Sequence, residues 1–164
     1  MKIYIAGPDV FERNSIDIGK RYSSLCQEYG FKALYPLDNV VDFTQDKQKI
    51  SLDIYKANIE LIKQSDIVIA NLNNFRGKEA DSGTIWECGY AYALGKTVYG
   101  YMHTDLTYVE QFTDNEKMLI DGKFVDKNGK FIEDFNLSIN LMIAHSCTKI
   151  ISGSFEDVLK FCKH

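Results

Sequence analysis

Asp66–Leu72 carries the uninterrupted apolar run Ile67-Val68-Ile69-Ala70, and that run constrains the fold more than any other part of the chain. It is too short for a helix and shows no polar alternation, so it reads as a strand covered on both faces. Similar units stand on either side of it. Ile3–Ala6 predicts a first strand, and Ser15–Tyr29 predicts a helix with Ile16, Gly19, Tyr22, Cys26 and Tyr29 on one side. Phe31–Tyr35 predicts a short strand. Ile50–Gln64 predicts a helix through Ile50, Ile54, Ala57 and Leu61. Beyond the central run, a helix opens at Asp81 and ends at Gly95, and Thr97–Met102 and Thr148–Ile151 predict two more strands. Ser154 is placed to cap a last helix over Phe155–Lys163.

Strand and helix alternating in this way require parallel pairing through right-handed crossovers. The expected fold is α/β: a five-stranded, doubly wound parallel sheet of flavodoxin-like or Rossmann-like order, in three α/β/α layers. The 164 residues suit one domain spanning 1–164. Ligands of such folds bind beyond the carboxyl ends of the strands. Here those ends are Gly7-Pro8-Asp9, Pro36-Leu37-Asp38-Asn39, Asn71-Leu72-Asn73 and the loop after Met102. The polar stretch His103–Asp134, with turn signals at Asp121-Gly122 and Asn128-Gly129, is expected to be a lid, a hairpin or an oligomer contact.

Composition narrows the function. A net charge of −4 with no Lys/Arg-rich run argues against nucleic acid as a partner. No apolar stretch reaches a membrane-spanning length, and the chain enters its first strand at Lys2-Ile3, leaving no room for a signal peptide. The 4 cysteines are scattered without a Cys-x-x-Cys pair, so reduced thiols in a cytoplasmic setting are expected. The 3 histidines have no metal-binding spacing, and no Gly-x-Gly-x-x-Gly follows a strand. Neither a metal nor a cofactor is implied.

The most informative chemistry lies at the start of the helix opened by Asp81. Glu87 sits in its second turn, with Gly83, Thr84 and Ala91 at i−4, i−3 and i+4. A carboxylate in a hollow of small residues suits a nucleophile. An early helical Glu is also favoured by the helix dipole, and Asp81 by itself also fits an N-cap.

Taken together, several segments resemble the nucleoside 2-deoxyribosyltransferase family. They are Ile3-Tyr4-Ile5-Ala6-Gly7-Pro8 with Phe11, Pro36-Leu37-Asp38-Asn39, Asn58, Ser65-Asp66, Asp81-x-Gly83-Thr84-x-x-Glu87-x-Gly89 and Asn140-Leu141-Met142. The resemblance covers nearly the whole chain, and it is the order and spacing of the pieces that make it specific.

It implies a pentosyltransferase of nucleoside salvage whose substrates are 2′-deoxynucleosides and free purine or pyrimidine bases. Glu87 would be the nucleophile, forming a covalent deoxyribosyl-enzyme. Asp81 would assist the departing base, and Tyr4 would hydrogen-bond the catalytic carboxylate. Gly7, Phe11, Asp38, Asn58 and Gly83 would contact substrate. Asn140 would reach the sugar from a neighbouring subunit of a homo-oligomer, either a dimer or a trimer of dimers. The chemistry parallels a retaining glycosidase.

Two other readings compete. A 2′-deoxynucleoside 5′-monophosphate N-glycosidase of the same superfamily would need a phosphate cradle after the first strand, where Pro8 lacks an N–H and Asp9 is acidic. A non-enzymatic receiver-like signalling module would need a phosphoacceptor Asp where Asn71 stands.

Overall fold

The computed structural model describes residues 1–163. β1 (Lys2–Ala6), β2 (Lys32–Leu34), β3 (Ile67–Asn71) and β4 (Thr97–Met102) lie in one sheet. An antiparallel hairpin, β5 (Lys117–Ile120) and β6 (Lys123–Asp126), then departs from it, and β7 (Lys149–Ser152) returns to the edge. The five-stranded sheet has the order β2-β1-β3-β4-β7. All its pairs are parallel, with Tyr4 beside Leu34 and Val68, Asn71 beside Tyr101, and Tyr101 beside Ile151. The order reverses between β1 and β3, and that switch point opens a crevice above the strand ends.

Period-2 alternation sorts the two faces. Tyr4, Ala6, Val68, Ala70, Val98 and Met102 point to one side. There they meet Ile62 of α2 (Lys47–Gln64), Cys88 and Ala91 of α3 (Ser82–Ala93), and Ile143 of α4 (Leu141–Ser146). Ile3, Ile5, Ile67, Ile69 and Tyr101 point to the other side. They pack on Cys26 of α1 (Ser15–Glu28) and on Phe155, Val158 and Leu159 of α5 (Phe155–Cys162). Gly100 matters to the first face, because a Cβ there would stand 2.4 Å from Leu72 Cδ1.

Every α-helix but α1 begins where a side chain satisfies its orphan N–H groups. Asp46 caps α2 by accepting from Gln48 N and Lys49 N, both at 3.0 Å. This starts the helix three residues before the apolar spacing does, because a polar first turn leaves no periodic trace. Ser154 and Asp157 form a reciprocal capping box at α5. Within 103–134 the hairpin turns on Asp121 and Gly122, both at positive φ (49° and 77°), as a two-residue hairpin loop with right-handed twist requires. Among the described residues no helix is long and apolar enough to cross a membrane.

Candidate active site

The site grows from two elements that meet at the switch point. β1 delivers Tyr4, fully buried on the α3 side of the sheet. α3 delivers Glu87 from 83 positions later, and Tyr4 Oη donates to Glu87 Oε1 at 2.5 Å. This is a short, charge-assisted bond that fixes the carboxylate. Burial pushes the Glu87 carboxyl up to about 7, and the nearby negative charge of Asp81 adds to the rise, while the Tyr4 hydroxyl opposes it. The phenol itself is pushed up, by burial first and then by the Glu87 charge, so it stays neutral and donating.

Asp81 is the N-cap of α3. Its Oδ2 accepts from Thr84 N at 2.9 Å and from Thr84 Oγ1 at 3.0 Å, which aims the carboxylate along the helix start. Gly83 makes room for it, since a Cβ on Gly83 would lie 3.1 Å from Asp81 Oδ2. At the end of β1, Gly7 is required by close approach: a Cβ there would stand 2.7 Å from Asp9 Oδ2 and 2.9 Å from Asn71 Cβ. Asp9 and Asn71 are bonded to each other at 3.0 Å, and Asp9 also accepts from Tyr22 Oη at 3.2 Å. This network braces the loop and leaves Asn71 committed to structure.

Gly7, Asp81, Gly83, Thr84 and Glu87 border a cleft of about 580 Å³, a size that suits a small-molecule ligand. Gly7 and Phe11 line it after β1, Pro36, Leu37 and Asn39 after β2, Asn58 from α2, and Asp81, Gly83 and Glu87 from α3. Its walls are apolar apart from a few convergent polar groups. The Phe11 ring stacks on Phe75 at 5.5 Å with 16° between planes, and the Arg76 guanidinium lies 4.6 Å from the Phe75 centroid. That stack stiffens one wall. Among the described residues no cluster of three or more His, Cys, Asp or Glu is arranged to hold a metal.

Tyr4, Gly7, Phe11, Asn58, Asp81, Gly83 and Glu87 thus gather at one place. Three of the expected residues do not line this cleft: Tyr4 is buried and bears on it only through Glu87, and Asp38 and Asn140 stand elsewhere. Asp38 is exposed, and its neighbour Asn39 holds the lining position instead. Asn140 caps α4, accepting from Met142 N at 3.0 Å and donating to Glu133 Oε1 at 2.6 Å. Phe43, which also lines the cleft, and Phe75 and Arg76, which back Phe11, leave no signal in the sequence. An isolated aromatic in a polar loop carries no periodic signal, and the stack on Phe11 exists only once β1 and β3 are side by side.

Comparisons with known proteins bear on this arrangement. A family model described as nucleoside 2-deoxyribosyltransferase matches residues 3–142. A solved 2-desoxiribosyltransferase from Leishmania mexicana is 32% identical, with a TM-score of 0.78 over 99% of this chain and 96% of that one. A 2-deoxyribosyltransferase from Bacillus psychrosaccharolyticus, 23% identical, shares the fold at a TM-score of 0.63 over 97% of this chain and 90% of that one. An uncharacterized protein of Schizosaccharomyces pombe is 29% identical over 118 residues, which cover 70% of this chain. The chain spans 56% of the length of that curated relative.

Proposed function

Because this chain belongs to the nucleoside 2-deoxyribosyltransferase family, we propose that it exchanges the base of 2′-deoxyribonucleosides through a deoxyribosyl ester on Glu87. The observation that carries the reading is the 2.5 Å bond from Tyr4 to Glu87 Oε1 inside the cleft. It leaves Oε2 without a partner among the described residues, free to reach the anomeric carbon. Oε2 forms a bond to C1′ as the C1′–N bond breaks, and the bonding pair leaves on the base. Asp81 hydrogen-bonds the departing base through a proton taken up with the substrate and leaves that proton on the base, since an anionic heterocycle is a poor leaving group. A second base then attacks C1′ from the vacated side, gives up its N–H proton to Asp81 and releases the Glu87 carboxylate.

The elevated basicity of Glu87 fits this role. A poorly solvated carboxylate is a stronger nucleophile, and near pH 7 a substantial fraction remains ionised. The Phe11 wall offers a flat surface on which a heterocycle stacks. The absence of a 2′-hydroxyl eases formation of an oxocarbenium-like transition state, so ribonucleosides are expected to be poor donors. Asn140 would complete the sugar site from a second copy of the chain, which makes the homo-oligomer the active form.

The test mixes purified protein with thymidine or deoxyinosine and free adenine, beside the Glu87→Ala variant. Deoxyadenosine from the parent alone, with a sugar adduct on the peptide bearing Glu87 when a slow substrate is quenched, is the expected result. Free deoxyribose at the same rate with and without adenine would instead make the protein an N-glycosidase.

A further inference from the structure

The two asparagines of the cleft are not independent. Asn39 Nδ2 donates to the backbone carbonyl of Pro36 at 2.9 Å and to Asn58 Oδ1 at 3.3 Å. The Pro36 carbonyl can only accept, so it decides which end of the Asn39 amide faces it. That choice propagates: with an N–H pointed at it, the Asn58 amide must turn its oxygen toward Asn39. Both side chains line the cleft. No hydrogen bond among the described residues engages Asn58 Nδ2 or Asn39 Oδ1.

We infer that Asn39 is a positioning residue: it locks the Asn58 amide so that the cleft meets an incoming base with N–H donors at that point. The inference rests on the reading of the cleft as a base site and adds a selectivity rule to it. At that point the base must offer Asn58 a lone pair, which the oxo group of hypoxanthine supplies and the amino group of adenine does not. A base that turns only N–H groups to that point leaves donors facing donors, and a site built to hydrogen-bond one edge rejects the other strongly. Nothing in the single amide of Asn58 sets this polarity, because a free Asn side chain presents either end with equal ease. Pro36 sets it, through Asn39.

Two substitutions should invert the polarity by different routes. In Asn39→Asp the carboxylate has no hydrogen to give Asn58 Oδ1. It accepts from Asn58 Nδ2 instead, turning the amide and presenting its oxygen to the cleft. Asn58→Asp places acceptors there directly. Each variant is given thymidine as donor with adenine and hypoxanthine together in equal amounts, and the ratio of deoxyadenosine to deoxyinosine is read by chromatography. Adenine carries an amino group where hypoxanthine carries an oxo group, so the ratio should rise about tenfold in both variants, the worth of one hydrogen bond exchanged for an unpaired group.

Because both acceptors compete for one pool of enzyme, the ratio does not depend on how much of a variant is folded. If Asn39 only supported the loop, both products would fall together with the ratio unmoved, and that result overturns the inference. Calorimetric titration with each free base reads the same selectivity without turnover. A parent protein that binds both bases yet makes neither product would defeat the transferase reading. In that protein the inference stands or falls on whether the two variants shift the binding ratio.

Discussion

Tyr4 and Glu87 face each other across the junction of β1 and α3, phenol to carboxylate at 2.5 Å. Among the groups acting on Glu87, Tyr4 is the one that favours its ionised form, against burial and against Asp81. Tyr4→Phe keeps the buried ring and removes only the donor. The Glu87 carboxyl should then rise above about 7, so less of it is ionised at neutral pH. The acid limb of the pH–kcat/KM profile should move to higher pH. Activity should fall on the order of tenfold or more at pH 7 and recover part of that loss by pH 9. An unchanged limb would mean that the bond does not tune the nucleophile.

The charge on Asp81 pushes the same carboxyl upward. Asn at this position caps a helix as well as Asp does and still accepts from Thr84, so Asp81→Asn should leave α3 intact. Two effects should separate. The acid limb should shift to lower pH, because Glu87 loses a like-charged neighbour. The rate with a base that must leave protonated should drop about 10²–10⁴-fold, the usual worth of general acid help. A deoxyribosyl donor with an activated leaving group that departs unprotonated should be spared. Steady-state rates with the two donors over pH 5–9 decide it.

Holding Glu87 in the cleft should also cost stability, in a defined pH window. Its carboxyl sits at about 7 in the fold against 4.5 unperturbed. Between those values the folded state binds the extra proton, so stability falls as pH rises from 4.5 to about 7 and stays low above. Glu87→Gln keeps an oxygen that accepts from Tyr4 and has no charge to desolvate. It should be more stable than the parent at pH 8 by an amount on the order of 1–3 kcal/mol, and much less so at pH 4.5. Thermal melts at the two pH values should show a gain of a few degrees at the higher one only. An equal effect at both would remove the charge from the explanation.

The sheet was legible because its signal is local. Ile67–Asn71 is buried along its full length, and a strand of that kind shows as an unbroken apolar run. The flavodoxin-like order followed from chain alternation and handedness rather than from any one residue. Glu87 and Asp81 were visible because small neighbours at helical spacing and a capping position are both properties of one short segment. Asn39 was seen only as part of a turn. Its role depends on Pro36 beside it and Asn58 on another helix, 19 positions on. α4 escaped for a different reason, since its six residues are too few to show a period and Asn140, Glu133 and the cap contacts define it. Asp38 belongs to the Pro36–Asn39 turn, which the sequence presents as one unit. A 3-10 turn sends successive side chains in different directions, so Pro36, Leu37 and Asn39 line the cleft while Asp38 is exposed.

Asn140 poses the last question, because in its own protomer it is spent on capping α4 and on Glu133, away from the cleft that Glu87 lines. If a second copy receives this side chain, Glu87→Ala and Asn140→Ala should each abolish transfer for reasons that lie in different subunits. Mixing the two inactive proteins under conditions of subunit exchange then rebuilds one site from the Glu87 of one chain and the Asn140 of the other. Random pairing in a dimer should restore about a quarter of the parent's sites. Native mass spectrometry confirms that mixed oligomers have formed, and a melt of Asn140→Ala separates the loss of the cap, worth about 1 kcal/mol, from loss of the site. Mixed oligomers that stay inactive would return Asn140 to a purely structural role, and the sugar contacts would then have to come from the protomer that holds Glu87.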